Sequence, residues 1–325
     1  MAGQGDRRVA SDRIGTDDGY RPPDPAGRDP RERGRGKRLA RSLFVTARPR
    51  QWAKNVLVFG AAVVGGALLS PELLIRATLA FVAFCLASSG MYYVNDIVDR
   101  QVDQQHPRKR LRPLASGQLG VPTAAAVAVL LCVGGLGLAV WAGGPELGAV
   151  VLGYLVLALA YTLWLRSIVL LDVTAVAGLF VIRAVAGGVA VNVYLSSWFL
   201  IVACFGALFI SAGKRRAEHN DLGHARGGHR KTLEEYSESY LRYIMSSAST
   251  VTIAAYCLWA YEGPSGRSVP SAMSILPFVL GIYRYAMLLD AGSGDAPEDI
   301  VLRDRPLQLC GLLWVLLVGL GVYLR

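Results

Sequence analysis

The stretch that decides the fold is FVAFCLASSGMYYV, residues 81–94, followed directly by NDIVDRQVDQQHPRKRLRP, residues 95–113. An uncharged apolar run thus ends in an amide, three carboxylates and a cluster of cations. If the helix continues past the apolar run, spacings of three and four residues place Asn95, Asp96, Asp99 and Asp103 on one helical face. Carboxylate and amide oxygens are the hard ligands that Mg²⁺ prefers, and Mg²⁺ often bridges them to phosphate oxygens. The stretch therefore predicts a site for Mg²⁺ and a diphosphate.

Two simpler interpretations of the same residues stay open at this point. The acidic residues could form a solvated helix end, or they could form ion pairs with Arg100 and with the cations of RKRLR, residues 108–112. Like charges at these spacings repel, so the acidic face requires a counter-charge in either case.

Apolar segments of membrane-spanning length recur along most of the chain. The protein has 325 residues, 53% of them hydrophobic, and a mean hydropathy of +0.38. A helix needs about 20 apolar residues to cross the bilayer core, and most of these segments lack the polar face of a soluble helix. We expect an all-α polytopic membrane protein with about nine transmembrane helices. The nine segments are 55–70, 73–94, 121–143, 146–165, 168–191, 197–213, 241–260, 271–289 and 307–324.

The N-terminal region differs in composition from the rest. Residues 1–54 contain 14 Arg and Lys against seven Asp and Glu, and residues 1–38 have little apolar content. We predict a disordered basic tail over 1–38, an interfacial amphipathic helix over 39–54, and a membrane domain over 39–325 that includes this helix. The tail has no interleaved aromatic residues, so we expect it to contact anionic lipids and not nucleic acid.

The distribution of cations between loops predicts the orientation. A basic tail places the N-terminus in the cytoplasm. With nine spans, the loops near 70–72, 142–146, 192–197 and 261–270 then lie outside. Arg267 is the one cation in these four loops, whereas the remaining loops carry most of the cations. We expect a multi-pass protein of the bacterial plasma membrane whose site opens to the cytoplasm and whose C-terminus lies outside.

The acidic stretch resembles a family motif. Asn95-Asp96-x-x-Asp99-x-x-x-Asp103 is similar to the NDxxDxxxD motif of the UbiA superfamily of intramembrane prenyltransferases, as are HPRKRLRPLASG, residues 106–117, and the Tyr161-x-x-x-x-Arg166 pair. The resemblance covers about residues 43–325. It implies nine helices around a cavity, with Asn95 and the three aspartates as Mg²⁺ ligands. It also implies that Asp96, Asp99 and Asp103 are catalytic.

One part of the family pattern is missing. Most members carry a second acidic motif at the cytoplasmic end of the sixth span, where this chain has Lys214, Arg215, Arg216 and then Glu218. Arg and Lys bind phosphates directly, so cations in place of the acids favour binding of a second anionic group from the substrates. The alternative interpretation is that each of these cations only contributes to the excess of positive charge on the cytoplasmic side and binds no substrate.

Longer blocks, such as RPRQWAKNVLV (48–58) and SSWFLIVACFGALFISAGKRRAE (196–218), resemble a branch of the superfamily that handles phosphoribose. This resemblance implies transfer of 5-phosphoribose from 5-phosphoribosyl diphosphate (PRPP) to a polyprenyl (decaprenyl) phosphate, which yields a precursor of cell-wall arabinan. Prenyl transfer from a diphosphate to an aromatic or lipid acceptor is the alternative enzyme activity. A transporter or flippase is the alternative class, although its site should be reachable from both sides. A homo-oligomer is left open.

The cations expected to hold substrate phosphates, together with one tyrosine, are Lys54, Lys109, Arg110, Arg112, Tyr161, Arg166, Arg183, Lys214, Arg215 and Arg216. Arg183 lies within the fifth span and could instead pair with a carboxylate, because ionisable groups inside a membrane are usually functional or paired. Residues expected to support the site or to order the last cytoplasmic loop are Glu218, Glu298, Asp299, Arg303 and Asp304.

Overall fold

The computed structural model describes residues 30–221, 235–262, 268–291 and 297–324. Within these ranges all regular structure is helical, which agrees with the predicted all-α class. The α-helices are α1 (Pro30–Ala47), α2 (Val58–Val64), α3 (Pro71–Val98), α4 (Arg100–Gln105), α5 (Val121–Leu163), α6 (Leu171–Val191), α7 (Ser197–Asp221), α8 (Glu238–Glu262), α9 (Val269–Met273), α10 (Ile275–Asp290), α11 (Pro297–Arg303) and α12 (Arg305–Tyr323). Short 3₁₀ helices cover Pro49–Leu57, Ala67–Leu69, Lys109–Leu111 and Leu165–Ser167.

Six helical stretches in the described ranges are long and apolar enough to cross a membrane. They are Pro71–Val98, Val121–Leu163, Leu171–Val191, Ser197–His219, Val269–Asp290 and Arg305–Tyr323. The 43-residue α5 contains non-helical backbone at Gly143 and Gly144, where Gly144 has φ of +73°, just before Pro145. This break divides α5 into two parts of about 20 residues, each the length of one span. The predicted spans 55–70 and 241–260 fall on helical segments outside the six, so the count of nine stays a prediction.

The helices pack closely because small residues line their contacts. A methyl group added at Gly187 of α6 would overlap the backbone of Val58 at the start of α2. A methyl at Gly135 of α5 would lie 2.8 Å from the carbonyl oxygen of Ala83 in α3. Gly187 therefore lies at a close contact between α6 and α2. Phe84 of α3 and Leu147 of α5 are fully buried in the resulting core.

The N-terminal segment differs from the single interfacial helix predicted for 39–54. Helix α1 begins at Pro30, inside the predicted tail, and ends at Ala47. Arg48 then adopts a left-handed conformation (φ 51°, ψ 60°), and a 3₁₀ helix follows. Pro49 explains the break, since the residue before proline is excluded from the right-handed helical region. Residues 1–29 of the predicted tail lie outside the described ranges.

Side-chain hydrogen bonds fix this broken segment on α3. The Tyr93 hydroxyl donates to the carbonyl of Leu43 (2.7 Å), and the Ser89 hydroxyl donates to the carbonyl of Ala47 (3.0 Å). Trp52 Nε1 donates to Ser89 Oγ (3.0 Å). These bonds hold Arg48 beside the C-terminal end of α3, where the acidic residues begin.

Candidate functional site

The acidic residues lie on nearly continuous helix, as predicted. Helix α3 ends at Val98 and α4 begins at Arg100, yet the backbone bonds continue across the junction. The amide of Asp99 donates to the carbonyl of Asn95 (2.9 Å), and the amide of Asp103 donates to that of Asp99 (2.8 Å). Asn95 Nδ2 also donates to Asp99 Oδ2 (3.0 Å). We call Asn95, Asp96, Asp99 and Asp103 the acidic face.

Each carboxylate of the acidic face meets an arginine. Arg112 Nη1 lies 2.6 Å from Asp103 Oδ2 and 3.4 Å from Asp96 Oδ1, so one guanidinium bridges two carboxylates. Arg166 Nη1 lies 2.7 Å from Asp99 Oδ1. Asp96 and Asp103 are only 2% exposed. Carboxylates so deeply buried require such counter-charges.

Arg48 also pairs with Asp96, and sequence reasoning missed this residue. Its guanidinium additionally lies 5.0 Å from the ring centre of Tyr92, a cation–π distance. Forty-eight residues separate Arg48 from Asp96, so no local spacing links them. The only local signal was the Arg-Pro dipeptide at 48–49, because a proline indicates that the preceding helix ends there and so marks a change in chain direction at Arg48.

The donor set of the acidic face fits Mg²⁺. Among the described residues, no three His, Cys, Asp or Glu side chains converge to hold a metal ion by themselves. Mg²⁺ does not require such a cage, because it is usually bound by one or two carboxylates while waters and substrate phosphates complete its shell. Binding would require the carboxylates to exchange arginine for metal, which leaves the guanidinium groups available to phosphate oxygens.

Arg215 belongs to a buried network next to this face. Its Nε donates to Asp172 Oδ2 (2.7 Å), its Nη1 to Glu218 Oε2 (2.6 Å), and its Nη2 to the hydroxyl of Tyr161 (3.1 Å). All three guanidinium nitrogens are therefore engaged, and Asp172 is fully buried. Arg215, Tyr161 and Glu218, which were predicted separately, are brought together as one network.

Tyr236 completes this network and was also missed. Its hydroxyl donates to Asp172 Oδ1 (2.6 Å) and accepts from the amide of Leu170 (2.7 Å). Leu170 has a positive φ of 70°, so this bond holds an unusual turn before α6. Burial, and then the hydrogen bond to Asp172, raise the pKa of Tyr236 above its ordinary value, which keeps the phenol a donor at neutral pH.

The three consecutive cations of α7 do not act together. Lys214 is exposed and lies 4.0 Å from Glu218 Oε1. Arg216 points away from Arg215 and pairs with Asp290 (2.6 Å) and Glu238 (3.2 Å). Successive helical residues project about 100° apart, which explains the separation.

Arg183 contacts neutral acceptors. Its Nε donates to Asn55 Oδ1 (2.7 Å), its Nη1 to the carbonyl of Leu179 (2.7 Å), and its Nη2 to the hydroxyl of Tyr154 (3.0 Å). The guanidinium also lies 4.7 Å from the ring centre of Tyr154. Arg183 is 4% exposed, so in this structure it braces the 3₁₀ segment against α5 and α6. The alternative carboxylate pair is not seen among the described residues, and the role in phosphate binding stays a prediction.

The other predicted residues occupy varied places. Lys109 and Arg110 are exposed on their 3₁₀ turn, and Lys54 is half-buried. Asp304 caps α12 by accepting from the amide of Leu307 (2.8 Å) and pairs with Arg284 (2.7 Å), so it joins α10 to α12. Arg303 is exposed. Glu298 and Asp299 are on α11, and their side chains are outside the described part of the chain.

Comparisons with known proteins agree on one family. Residues 56–303 match the UbiA prenyltransferase family. The chain is 43% identical over 288 residues to a decaprenyl-phosphate phosphoribosyltransferase of Mycobacterium tuberculosis, covering 87% of this chain and 95% of the relative. It is 39% identical over 305 residues to the Corynebacterium glutamicum protein of the same name, covering 91% of each. The fold resembles that of an Archaeoglobus fulgidus UbiA homologue bound to DMAPP and Mg²⁺, with a TM-score of 0.68, 15% identity, and coverage of 86% of this chain and 97% of that one.

Proposed function

The chain belongs to the UbiA prenyltransferase family, and we propose that it is a decaprenyl-phosphate phosphoribosyltransferase. It transfers 5-phosphoribose from PRPP to decaprenyl phosphate, releases diphosphate, and yields decaprenylphosphoryl-5-phosphoribose, a cell-wall arabinan precursor. The identities of 43% and 39% over nearly the whole length of two proteins with this name support the proposal.

The observation that carries the proposal is the pairing of the acidic face with arginines. Arg112 and Arg166 lie 2.6 and 2.7 Å from its carboxylates, so cation-binding and phosphate-binding groups occupy one site. A sugar that carries both a diphosphate and a 5-phosphate needs both kinds of group. The cations at 214–216, where most of the family has acids, favour an additional anionic substrate over a neutral aromatic acceptor.

In this proposal Asp96, Asp99 and Asp103, with Asn95, hold Mg²⁺ on the diphosphate of PRPP. When bound, Mg²⁺ supplies charge stabilisation for the departing diphosphate. Arg48, Arg112 and Arg166 leave the carboxylates as the metal arrives and donate to the phosphate oxygens. The exposed Lys109 and Arg110 and the half-buried Lys54 add further positive charge.

The bond between ribose C1 and the diphosphate oxygen breaks, and a bond from C1 to an oxygen of the lipid phosphate forms. C1 gains oxocarbenium character, as in glycosyl transfer generally. The lipid phosphate is ionised at neutral pH and needs positioning more than a general base. The network of Arg215, Asp172 and Tyr161 positions the helix ends that surround this site.

The membrane arrangement is part of the proposal. Nine spans, with α2, both parts of α5, and α8 counted as spans, surround a cavity that opens to the cytoplasm in the bacterial plasma membrane. The basic N-terminal segment contacts anionic lipids on the cytoplasmic side.

The test is label transfer in membranes that contain the protein, supplied with Mg²⁺, decaprenyl phosphate and ribose-labelled PRPP. We expect label in the lipid fraction, dependence on Mg²⁺, and loss of about 100-fold or more in Asp99→Asn, because the amide lacks the negative charge of the carboxylate that it replaces. Glu72→Gln, which removes an exposed carboxylate from the other end of α3, serves as the matched control. If folded wild-type protein transfers no label from PRPP but prenylates an aromatic acceptor from prenyl diphosphate, the proposal is wrong.

A further inference from the structure

A second group of polar side chains lines a groove between α7, α8 and α10. The groove encloses about 300 Å³ and is lined on its polar side by Arg216, Arg242, Ser246, Ser249 and Asp290. None of these residues contacts the acidic face. The volume lies at the lower end of the range of small-molecule sites.

Arg216 is incompletely satisfied in this groove. It is only 7% exposed, and no acceptor among the described residues reaches its buried Nε, although Nη2 binds Asp290 and Glu238. A buried guanidinium N–H without an acceptor is costly, and an anion in the groove that drew the guanidinium toward it would relieve that cost.

Helix α8 carries a polar stripe toward the same groove. Arg242, Ser246 and Ser249 are four and three residues apart, which places them on one helical face. This stripe lowers the hydropathy of α8, a 25-residue helix that is not among the six most apolar stretches. Polar residues within a membrane helix are expensive and usually functional.

The present counter-ions of the arginines can be displaced. Asp290 is the last residue of α10 and its side chain is 70% exposed; that of Glu238, the first residue of α8, is 43% exposed. Because both carboxylates are largely exposed, water hydrates them readily once they are released, whereas the buried Arg216 needs another anion in their place. A phosphate has more charge and more acceptor oxygens than either carboxylate, so it competes well for two guanidinium groups and two hydroxyls.

The apolar side of the groove identifies the kind of ligand. Phe209, Met245 and Met287 line it beside the cations. Tyr283 and Met287 leave more than half of their surface exposed on α10, the face that a membrane would cover. A ligand that fits both sides has a phosphate and a hydrocarbon chain, which excludes PRPP.

We propose that this groove binds the phosphate of decaprenyl phosphate as the lipid enters the protein, an inference that rests on the proposed function. Arg216 and Arg242 hold the phosphate charge, and Ser246 donates a hydrogen bond. Ser249, whose hydroxyl donates to the carbonyl of Ser246 (3.0 Å) in the structure, donates to the phosphate after rotation of its side chain. Arg215 joins the network with Asp172, whereas Arg216 reaches the groove, so consecutive residues of α7 serve two different places. The lipid phosphate then moves from the groove to the acidic face for the reaction.

The experiment uses the full-length protein in nanodiscs and two variants, Arg242→Gln and the double variant Ser246→Ala, Ser249→Ala. Arg76→Gln is the matched control, because Arg76 and Glu72 form an exposed i,i+4 ion pair like that of Arg242 and Glu238. The steady-state KM is measured for decaprenyl phosphate and for PRPP. Native mass spectrometry without PRPP measures retention of decaprenyl phosphate and of phosphatidylglycerol.

We expect each variant to raise the KM for decaprenyl phosphate by about tenfold and to lower its retention, from the loss of charge-assisted hydrogen bonds. The KM for PRPP should change by less than about twofold in each variant, and both KM values should change by less than about twofold in the Arg76→Gln control. Unchanged acceptor KM and retention would overturn the inference, as would loss of phosphatidylglycerol alone. If wild-type protein transfers no phosphoribose, the proposed function fails, and retention of decaprenyl phosphate still decides whether the groove binds it.

Discussion

Arg112 holds the acidic face together in the absence of metal. It lies 2.6 Å from Asp103 and 3.4 Å from Asp96, two carboxylates that are almost fully buried. A single guanidinium can serve both because its planar fork presents several donors in fixed directions. Under the proposed function, Mg²⁺ would be an alternative counter-charge for the same two carboxylates, and Arg112 would then be available to phosphate oxygens.

We predict that Arg112→Gln lowers kcat/KM for PRPP by about 100-fold, because a charged hydrogen bond to phosphate is lost. The variant also leaves two buried carboxylates without this partner, so Mg²⁺ alone should raise its midpoint of thermal unfolding more than that of the wild type. Arg108→Gln, an exposed position on the same loop, is the control. If Mg²⁺ raises the unfolding midpoints of Arg112→Gln and wild type equally, the proposed exchange of arginine for metal at these carboxylates is contradicted.

Sequence reasoning found the acidic face and missed two other residues, Arg48 beside that face and Tyr236 beside Asp172. Asn95, Asp96, Asp99 and Asp103 follow a helical period, and that period needs no tertiary information. Arg48 and Tyr236 could not be found this way, because they lie 48 and 64 residues from Asp96 and Asp172, their respective partners.

Helix α7 shows how one element can serve two sites. Its C-terminal cations are consecutive in sequence, yet Arg215 joins Asp172 of α6 while Arg216 joins Asp290 of α10. The sequence predicted cations in place of acids at this helix end, but it could not predict their directions. Each side chain points to a different side of α7, and its partner depends on which neighbouring helix supplies a carboxylate on that side.

The contact between α2 and α6 provides a prediction about helix packing. A methyl group at Gly187 would overlap the backbone of Val58, whereas one at Gly134 of α5 would meet no atom within 4 Å. Gly187→Ala should therefore lower the free energy of unfolding by about 1–3 kcal/mol. Gly134→Ala, the matched control, should be neutral or slightly stabilising, because alanine favours helix. Thermal unfolding in detergent compares the two, and equal midpoints would show that α2 is not held closely against α6.

Element boundaries were less predictable than element existence. The apolar segments predicted most of the long helices, because the length of an apolar run reflects the thickness of the membrane core. The break at Arg48, which corrects the predicted helix 39–54, arises from Pro49 together with the bonds that Tyr93 and Ser89 make to the preceding segment. Hydropathy carries no information about such bonds.

Across the whole molecule, charge is concentrated at one end of the bundle. The acidic face, the Arg215 network and the Arg216 groove involve the C-terminal ends of α3, α7 and α10 and the N-terminal end of α8. In an antiparallel arrangement of neighbouring spans these ends share one side of the membrane. The basic N-terminal segment, whose Arg48 reaches the acidic face, belongs to that side as well.

This arrangement predicts that the two termini lie on opposite sides of the membrane. Nine spans are an odd number, and cations favour the cytoplasm, so the N-terminus should be inside and Tyr323 at the end of α12 outside. Alkaline phosphatase fused after α12 should be active, and a fluorescent protein at the same point should be dark. Fusions after Gly117 and after Gly144 are the references, which we expect to be cytoplasmic and external, since the backbone break in α5 lies at Gly143 and Gly144. An inactive phosphatase after α12 would reduce the spans to an even number, and the first segment to reassign would be 55–70, where α2 has only seven residues and 3₁₀ helices flank it.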